Sequence, residues 1–394
     1  MMTNYMLDLP LDTDYYGVFE NVPAADREVW ARARAFVTEV LPEVAGAWDA
    51  AEYPLRWAAR MGELDLLNDG VVGPGLNTIS PLAAGLSTME LHRGDGSIGT
   101  IAGVQAGLAL RTIAMHGSPE QQERWLLPLS RGEEFGAFAL TEPEHGSDSV
   151  GLETQVRTEG NELVLNGEKK WIGNGSVGGV TVVFARDEAG AVRGVLVPQE
   201  TPGYVATTIT GKVALRAIHQ AEITLTEVRV PASNLLPGIR SFKDVSRVLF
   251  ATRLGVAWGA LGHATAMFEA ALSYSRQRQQ FGKPIASFQM VQERLTEMLS
   301  ELVSLQLHCL TLTERDARGE MTPTQASLAK YTATRGARRI AGIARDMLGG
   351  NGILLENHVI RHVADIEALH TYEGTESVQA LLVGRDLTGI GAFA

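Results

Sequence analysis

The chain has 394 residues, 45% hydrophobic and 20% charged, a length and balance that predict a soluble globular protein of two or three structural units. The net charge is −12, and Lys and Arg are scattered rather than gathered in a basic stripe, so no nucleic-acid partner is expected. The lone cysteine, Cys309, excludes an intrachain disulfide and a Cys-cluster metal site, and within the helical pattern of residues 305–310 it reads as a small buried hydrophobe.

Residues 1–5 lack the basic stretch and apolar core of a secretory signal. Residues 26–44 carry apolar side chains at helical spacing, with Pro42 near the end, and residues 87–116 are long and apolar as buried helices are. No uninterrupted apolar run of roughly 18 residues appears, so no membrane-spanning helix is expected. Residues 120–128 read as a short amphipathic helix stopped by Pro128. From 135 to about 231 the period changes to short β-rich runs at 135–140, 163–165, 180–186, 193–198 and 221–231, separated by Asn-Gly, Asp-Glu and Pro-Gly turns. Residues 222–228 alternate strictly, which predicts a small antiparallel β domain with one wet face. Helical patterns resume at 242–277, 287–318, 323–348 and 375–388, where Thr322-Pro323 marks a start and Gly349-Gly350 a stop. These four helices predict a bundle. The fold class is therefore α+β: an N-terminal all-α domain over 1–133, a middle antiparallel β domain over 134–238, and a C-terminal four-helix bundle over 239–394. The chain ends without a peroxisomal address, and the cytoplasm is the expected location.

Two G-x-G-x-x-G patterns occur, at Gly94, Gly96 and Gly99 and at Gly173, Gly175 and Gly178. A dinucleotide fingerprint follows a strand and opens a helix. The first pattern lies between helical stretches and the second leads into another strand, so both read as turn glycines and a nicotinamide enzyme is a poor reading. His358 and His362, with Glu356 nearby, lack a third ligand, so no metal is expected.

The stretch His370-Thr371-Tyr372-Glu373-Gly374-Thr375 sets one carboxylate between an aromatic ring, a glycine and a hydroxyl. A desolvated carboxylate has its pKa raised toward the range useful for a general base, and Gly374 permits close approach to the backbone. Together with Ala139-Leu140-Thr141-Glu142-Pro143-Glu144-His145-Gly146-Ser147-Asp148, Lys170-Trp171-Ile172-Gly173-Asn174 and Arg278-Gln279-Gln280-Phe281-Gly282, this stretch resembles the acyl-CoA dehydrogenase and oxidase family of flavoproteins. The likeness covers nearly the whole chain and is greatest to glutaryl-CoA dehydrogenase (residues 343–352) and the plant short-chain acyl-CoA oxidase (residues 236–244 and 171–174).

The resemblance implies FAD as cofactor, an acyl-CoA substrate, an electron-transfer flavoprotein as electron acceptor (oxygen if the enzyme is an oxidase), and a homotetramer that shares flavin between subunits. It implies Glu373 as the base that removes the α-proton while the β-hydrogen leaves as hydride to flavin N5. Phe138, Leu140, Thr141, Gly146, Ser147, Trp171, Ile172 and Gly173 would meet the flavin from the β domain. Arg278, Phe281 and Gln289 would reach its pyrophosphate or adenosine, and Asp346, Met347, Leu348, Gly349 and Gly350 would close over its adenine end. Thr375 and Ser377 complete the cofactor set, while Ser147, Arg253 and Gly374 would meet the substrate. Thr252 stands where other branches carry the catalytic glutamate, which leaves that role to Glu373. Gly99 falls where the glutaryl enzyme has the arginine for its distal carboxylate, so a short saturated monocarboxylic acyl chain is expected. Gly173 replaces a Thr or Ser and would leave space beside flavin N5, a feature shared with the oxidase.

Overall fold

The computed structural model describes residues 13–392, with helices, a sheet and helices again in chain order. The first helical segment contains α1 (Ala24–Ala50), α2 (Arg56–Glu63), α3 (Pro81–Gly94), α4 (Gly96–Ala102), a π-helical stretch Gly103–Leu110, α5 (Arg111–His116) and α6 (Pro119–Ser130). Two of its prolines do not end their helices: α1 runs past Pro42 to Ala50, and α6 carries Pro128 in its last turns, where one missing amide is tolerated. Real starts lie at Ser80 and Ser118, whose hydroxyls accept from backbone amides with proline at the next position. The continuous helical run Gly96–His116 is long and apolar enough, by length and composition, to cross a membrane, although Thr100, Gln105 and Arg111 interrupt its apolar sequence. Its most apolar window is 61% buried inside the protein, against β1 (Gly136–Ala139) and α6, as a core helix is.

The sheet has seven strands, adding β2 (Gln155–Glu159), β3 (Glu162–Gly173), β4 (Val180–Arg186), β5 (Val192–Pro198), β6 (Tyr204–Thr208) and β7 (Gln220–Pro231) to β1. The order is β1-β4-β2-β3-β7-β6, with β5 on β4. It is mixed rather than antiparallel: β1 pairs in parallel with β4, from Gly136 opposite Val180 to Ala139 opposite Val183, and β2 also meets β4 in parallel. The β2–β3 hairpin lies between β1 and β4 in the chain, so β4 returns beside β1 by a crossover, and only a crossover makes parallel neighbours.

The C-terminal segment holds α7 (Phe242–Gln277), a small hairpin of β8 (Gln279–Gln280) and β9 (Lys283–Pro284), α8 (Gln289–Ala317), α9 (Pro323–Met347), α10 (Val359–Thr371) and α11 (Glu376–Thr388). The bundle thus has five helices, α10 being additional to the four expected. Its core joins Trp258, Leu261 and Met267 of α7 to Leu302, Leu305 and Cys309 of α8 and to Ala333, Ala337 and Ile340 of α9. Leu86 and Met89 of α3 belong to the same cluster, so the first and third segments share one core. Gly85 makes that junction possible: a Cβ there would lie 2.5 Å from the Trp258 ring. The first glycine triplet also serves packing rather than turns. Gly94 faces Val37, Gly96 faces Asp365 and Gly99 faces His92, all closer than a Cβ allows.

Candidate active site

The turn between α10 and α11 carries Glu373 with φ 52° and Gly374 with φ 84°, two left-handed residues in succession. A side chain at such a φ is uncommon and costs on the order of 1 kcal/mol, so the surroundings must hold it. They do. Lys330 Nζ, on α9 and 1% exposed, donates to the carbonyls of Tyr372 and Gly374. Gln379 Nε2 donates to the carbonyls of Glu373 and Gly374, both at 3.0 Å. Thr375 begins α11 as its cap, its hydroxyl accepting from Val378 N at 3.3 Å, and Ser377, two residues on, is exposed.

The Glu373 carboxylate accepts from Thr252 Oγ1 at 2.5 Å. Burial raises its pKa above the usual carboxylate value, against the opposing pull of the Thr252 hydrogen bond, Lys330 and Arg253. Burial in turn depresses the Lys330 ammonium to about 7, although Glu373 favours its charge. Arg253 donates from Nη1 to Ser327 Oγ at 3.1 Å and lines a cavity of about 400 Å³ with Thr324, Leu382 and Arg385. Beyond Thr252 lies an ion pair of Asp69 with Arg111 at 2.8 Å, whose carboxylate adds to the raised pKa of Glu373.

A second group forms at the sheet. Leu140 and Thr141 follow β1, and Lys170 N donates to Thr141 O at 2.9 Å. The β3–β7 register shifts between Lys169 and Ile172, and in this bulge Trp171 takes φ 64°. Its ring is therefore turned out of the sheet, 54% exposed, while Ile172 beside it is buried. An exposed tryptophan face next to an apolar strand end is a surface that wants a flat apolar cover, which an isoalloxazine ring fits. Beneath it, Glu142 is buried and accepts from Lys169 Nζ at 2.8 Å, Thr154 Oγ1 at 2.6 Å and the Glu153 and Thr154 amides. Gly146 and Ser147 lie exposed on the loop that this carboxylate anchors.

Gly173 corrects an expectation. A Cβ there would stand 2.7 Å from Val104 Cγ2, so the space beside the glycine is filled by the π-helical stretch. Phe138 is also committed elsewhere, its ring packed 4.7 Å from Phe184 in the core.

The remaining expected cofactor residues lie at the other end of the bundle. Arg278 ends α7, Phe281 is 93% exposed on the β8–β9 hairpin, and Gln289 opens α8. Asp346 pairs with Arg294 at 2.8 Å, Met347 and Leu348 are in the core, and Gly349 and Gly350 begin a short 3-10 turn tied to α7 by Asn351 and the Tyr274 hydroxyl at 2.9 Å. At 1.5 Å per helical residue, Met347 is roughly 25 Å along α9 from Lys330. One chain therefore does not bring the two sets together.

Sequence reasoning missed Lys330, Gln379, Glu142 and Lys169 as site supports. Lys330 did leave a signal, being a lysine on the face of α9 that is otherwise Ala326, Ala329 and Ala333.

The chain matches the family models for the acyl-CoA dehydrogenase N-terminal domain over residues 23–133, the middle domain over 137–228 and the C-terminal domain over 242–388. It is 33% identical over 390 residues to the mitochondrial short-chain specific acyl-CoA dehydrogenase of Rattus norvegicus, covering 96% of this chain and 93% of that one. The crystal structure of glutaryl-CoA dehydrogenase from Mycobacterium smegmatis superposes with a TM-score of 0.93 at 40% identity, covering 96% of this chain and 98% of that one. A structure of a glutaryl-CoA dehydrogenase from the same organism in complex with FADH2 gives 0.93 at 36% identity, covering 97% and 98%. The chain belongs to the acyl-CoA dehydrogenase family, whose members are FAD-dependent oxidoreductases.

Proposed function

We propose that the chain oxidises a short saturated monocarboxylic acyl-CoA to the 2,3-enoyl-CoA and passes the electrons to an electron-transfer flavoprotein. The observation that carries this reading is the Glu373 carboxylate, held on its left-handed turn against Thr252 with its pKa raised. Glu373 takes the α-proton on its carboxylate, and its backbone N–H receives the thioester carbonyl, which stabilises the enolate-like charge as the proton leaves. Leu140, Thr141, Trp171 and Gly173 would hold FAD, which would supply the acceptor for the β-hydrogen as hydride.

Gly99 supports a monocarboxylic substrate. His92 Nδ1 lies 2.2 Å from where a Cβ would stand, so an arginine at 99 is excluded by packing, and a dicarboxylate would lack that cation. Val104, filling the space at Gly173, favours the dehydrogenase over the oxidase reading. The separation of Arg278, Gln289 and Asp346 from Trp171 and Glu373 supports a flavin completed by a second copy of the chain, within a homotetramer.

Replacing Glu373 by Gln tests the base. The variant is expected to stay yellow and flavin-loaded yet fail to form enoyl-CoA from butyryl-CoA, and full activity would sink the assignment. In the unmodified protein, bleaching by butyryl-CoA that persists in air but reverses with an electron-transfer flavoprotein is the expected result. Rapid recolouring with peroxide would mean an oxidase, and comparable turnover of glutaryl-CoA would overturn the choice of substrate.

A further inference from the structure

The turn at Glu373 is a backbone with its carbonyls tied down. The carbonyls of Tyr372, Glu373 and Gly374 all accept from two side chains, Lys330 and Gln379, each 1% exposed or less. No described residue accepts from the Glu373 N–H. A backbone amide left without a protein partner is open to a ligand that completes it.

The two holders come from different elements. Lys330 reaches across from the small-residue face of α9, between Ala326, Ala329 and Ala333. Gln379 rises from the first turn of α11, against the position a Cβ on Gly374 would take, 2.6 Å from its Nε2. A lysine carries a cost on that face, since burial opposes its charge. Three carbonyls, each with two lone pairs, would otherwise turn their negative ends toward the space where a carboxylate and an enolate-like oxygen must both be accommodated.

We propose that Lys330, with Gln379, is a positioning residue for the base: the pair draws the three carbonyls of the turn away from the site, so that the Glu373 N–H alone faces the substrate carbonyl. Lys330 acts a second time through its charge, which favours ionised Glu373. The inference rests on the reading of Glu373 as the base. Glu373 is faced by Thr252 and Arg253 from α7, by Lys330 from α9 and by Asp69 from the loop before α3. Lys330 itself faces Glu373 and Arg253.

The test is anaerobic stopped-flow reduction of flavin-loaded protein by butyryl-CoA across pH, for the unmodified chain, Glu373→Gln, Lys330→Met and Gln379→Leu, with flavin content and melting temperature as checks on folding. Lys330→Met is expected to lower the limiting reduction rate by about tenfold or more and to move the ascending pH limb upward, because the cation that favours the carboxylate is gone. Gln379→Leu is expected to lower the rate without moving the limb, because it removes a hold on the backbone but no charge. A merely structural lysine would change the melting temperature and leave the limb in place. An unchanged rate and limb in folded Lys330→Met overturns the inference, as does an unchanged rate in Gln379→Leu if the Met variant fails to hold flavin. Glu373→Gln keeps the two failures apart: if it reduces flavin normally, the base assignment falls as well, and if it does not, only the role of Lys330 is at stake.

Discussion

The Thr252 hydroxyl works against the burial that raises the pKa of Glu373. It is the largest of the influences opposing that rise, so Thr252→Val is expected to raise the pKa further. The ascending limb of flavin reduction against pH would then move to higher pH, because a hydrogen bond to the charged carboxylate is lost. A limb that stays in place would mean that solvent replaces the hydroxyl. At Gly173 the prediction is steric. Gly173→Ala presses a methyl onto Val104 Cγ2 at 2.7 Å and is expected to cost about 1–3 kcal/mol in urea unfolding, with much of it recovered in the double variant with Val104→Ala. An additive double variant would show that the two residues do not meet. Glu373 and Trp171 could be read from their local motifs. The positive φ that turns each side chain toward its task could not, because neither sequence context demands it; a bulge and two buried donors impose it.

The helix α9 shows what an element decides. Ala326, Ala329, Ala333, Ala337 and Ala344 form a small-residue face on which α7 packs closely, and Ile340 interrupts it. Ala337→Leu is expected to overpack that contact by about 1–3 kcal/mol, read as a lower denaturation midpoint, and a variant of unchanged stability would show slack in the seam. Helices α7, α8 and α9 were legible because their apolar periods and caps agree. By contrast, α10 was not: beside Val359, Ile366 and Leu369 it buries Arg361, His362 and Asp365, and these charged and polar residues blur its apolar period. Those groups need partners from other segments: Arg361, besides its local bonds to the Leu355 carbonyl and His358, pairs with Asp95 at 3.1 Å, and Asp365 accepts from the Leu215 amide at 2.6 Å. The strands β2 and β6 escaped for a related reason, being five residues each with mostly polar or exposed positions whose structure comes from their neighbours.

Across the whole molecule, buried histidines couple stability to pH. His92, His263 and His362 pack edge to face in series where α3, α7 and α10 meet, with ring centroids 5.5 and 5.0 Å apart. His263 and His362 share a hydrogen bond at 2.8 Å, and His92 is bonded to the Thr88 carbonyl. Burial lowers all three, His92 to about 4 and the others well below their ordinary value, and it lowers His358 to about 3. In the unfolded chain these groups take up protons near pH 6.5 that the folded protein refuses, so stability falls as pH drops below about 6.5. The melting temperature is expected to be clearly lower at pH 5 than at pH 7.5, and His263→Gln is expected to shallow that slope. A flat profile would contradict the buried, neutral cluster. The carboxylate Glu142, whose pKa is lowered because Lys169 and its hydrogen bonds outweigh burial, acts in a separate window below about pH 4.3. Assembly belongs to the same scale. Arg278→Ala is expected to lower flavin content although Arg278 lies at the opposite end of α7 from Thr252, and a flavin-loaded monomer in sedimentation would overturn the shared site.

By itself the sequence determined the α–β–α order, the principal helices and the family, and it singled out Glu373 as the base proposed above, because periodicity, caps and short motifs are written locally. The tertiary structure alone decided that the sheet is mixed, that Val104 closes the space beside Gly173, that Phe138 belongs to the core, and that Lys330 and Gln379 hold the Glu373 turn. Each of these joins residues far apart in the chain. Lys330 and Gln379 reach one turn from separate helices, and only packing determines which carbonyl a buried donor finds.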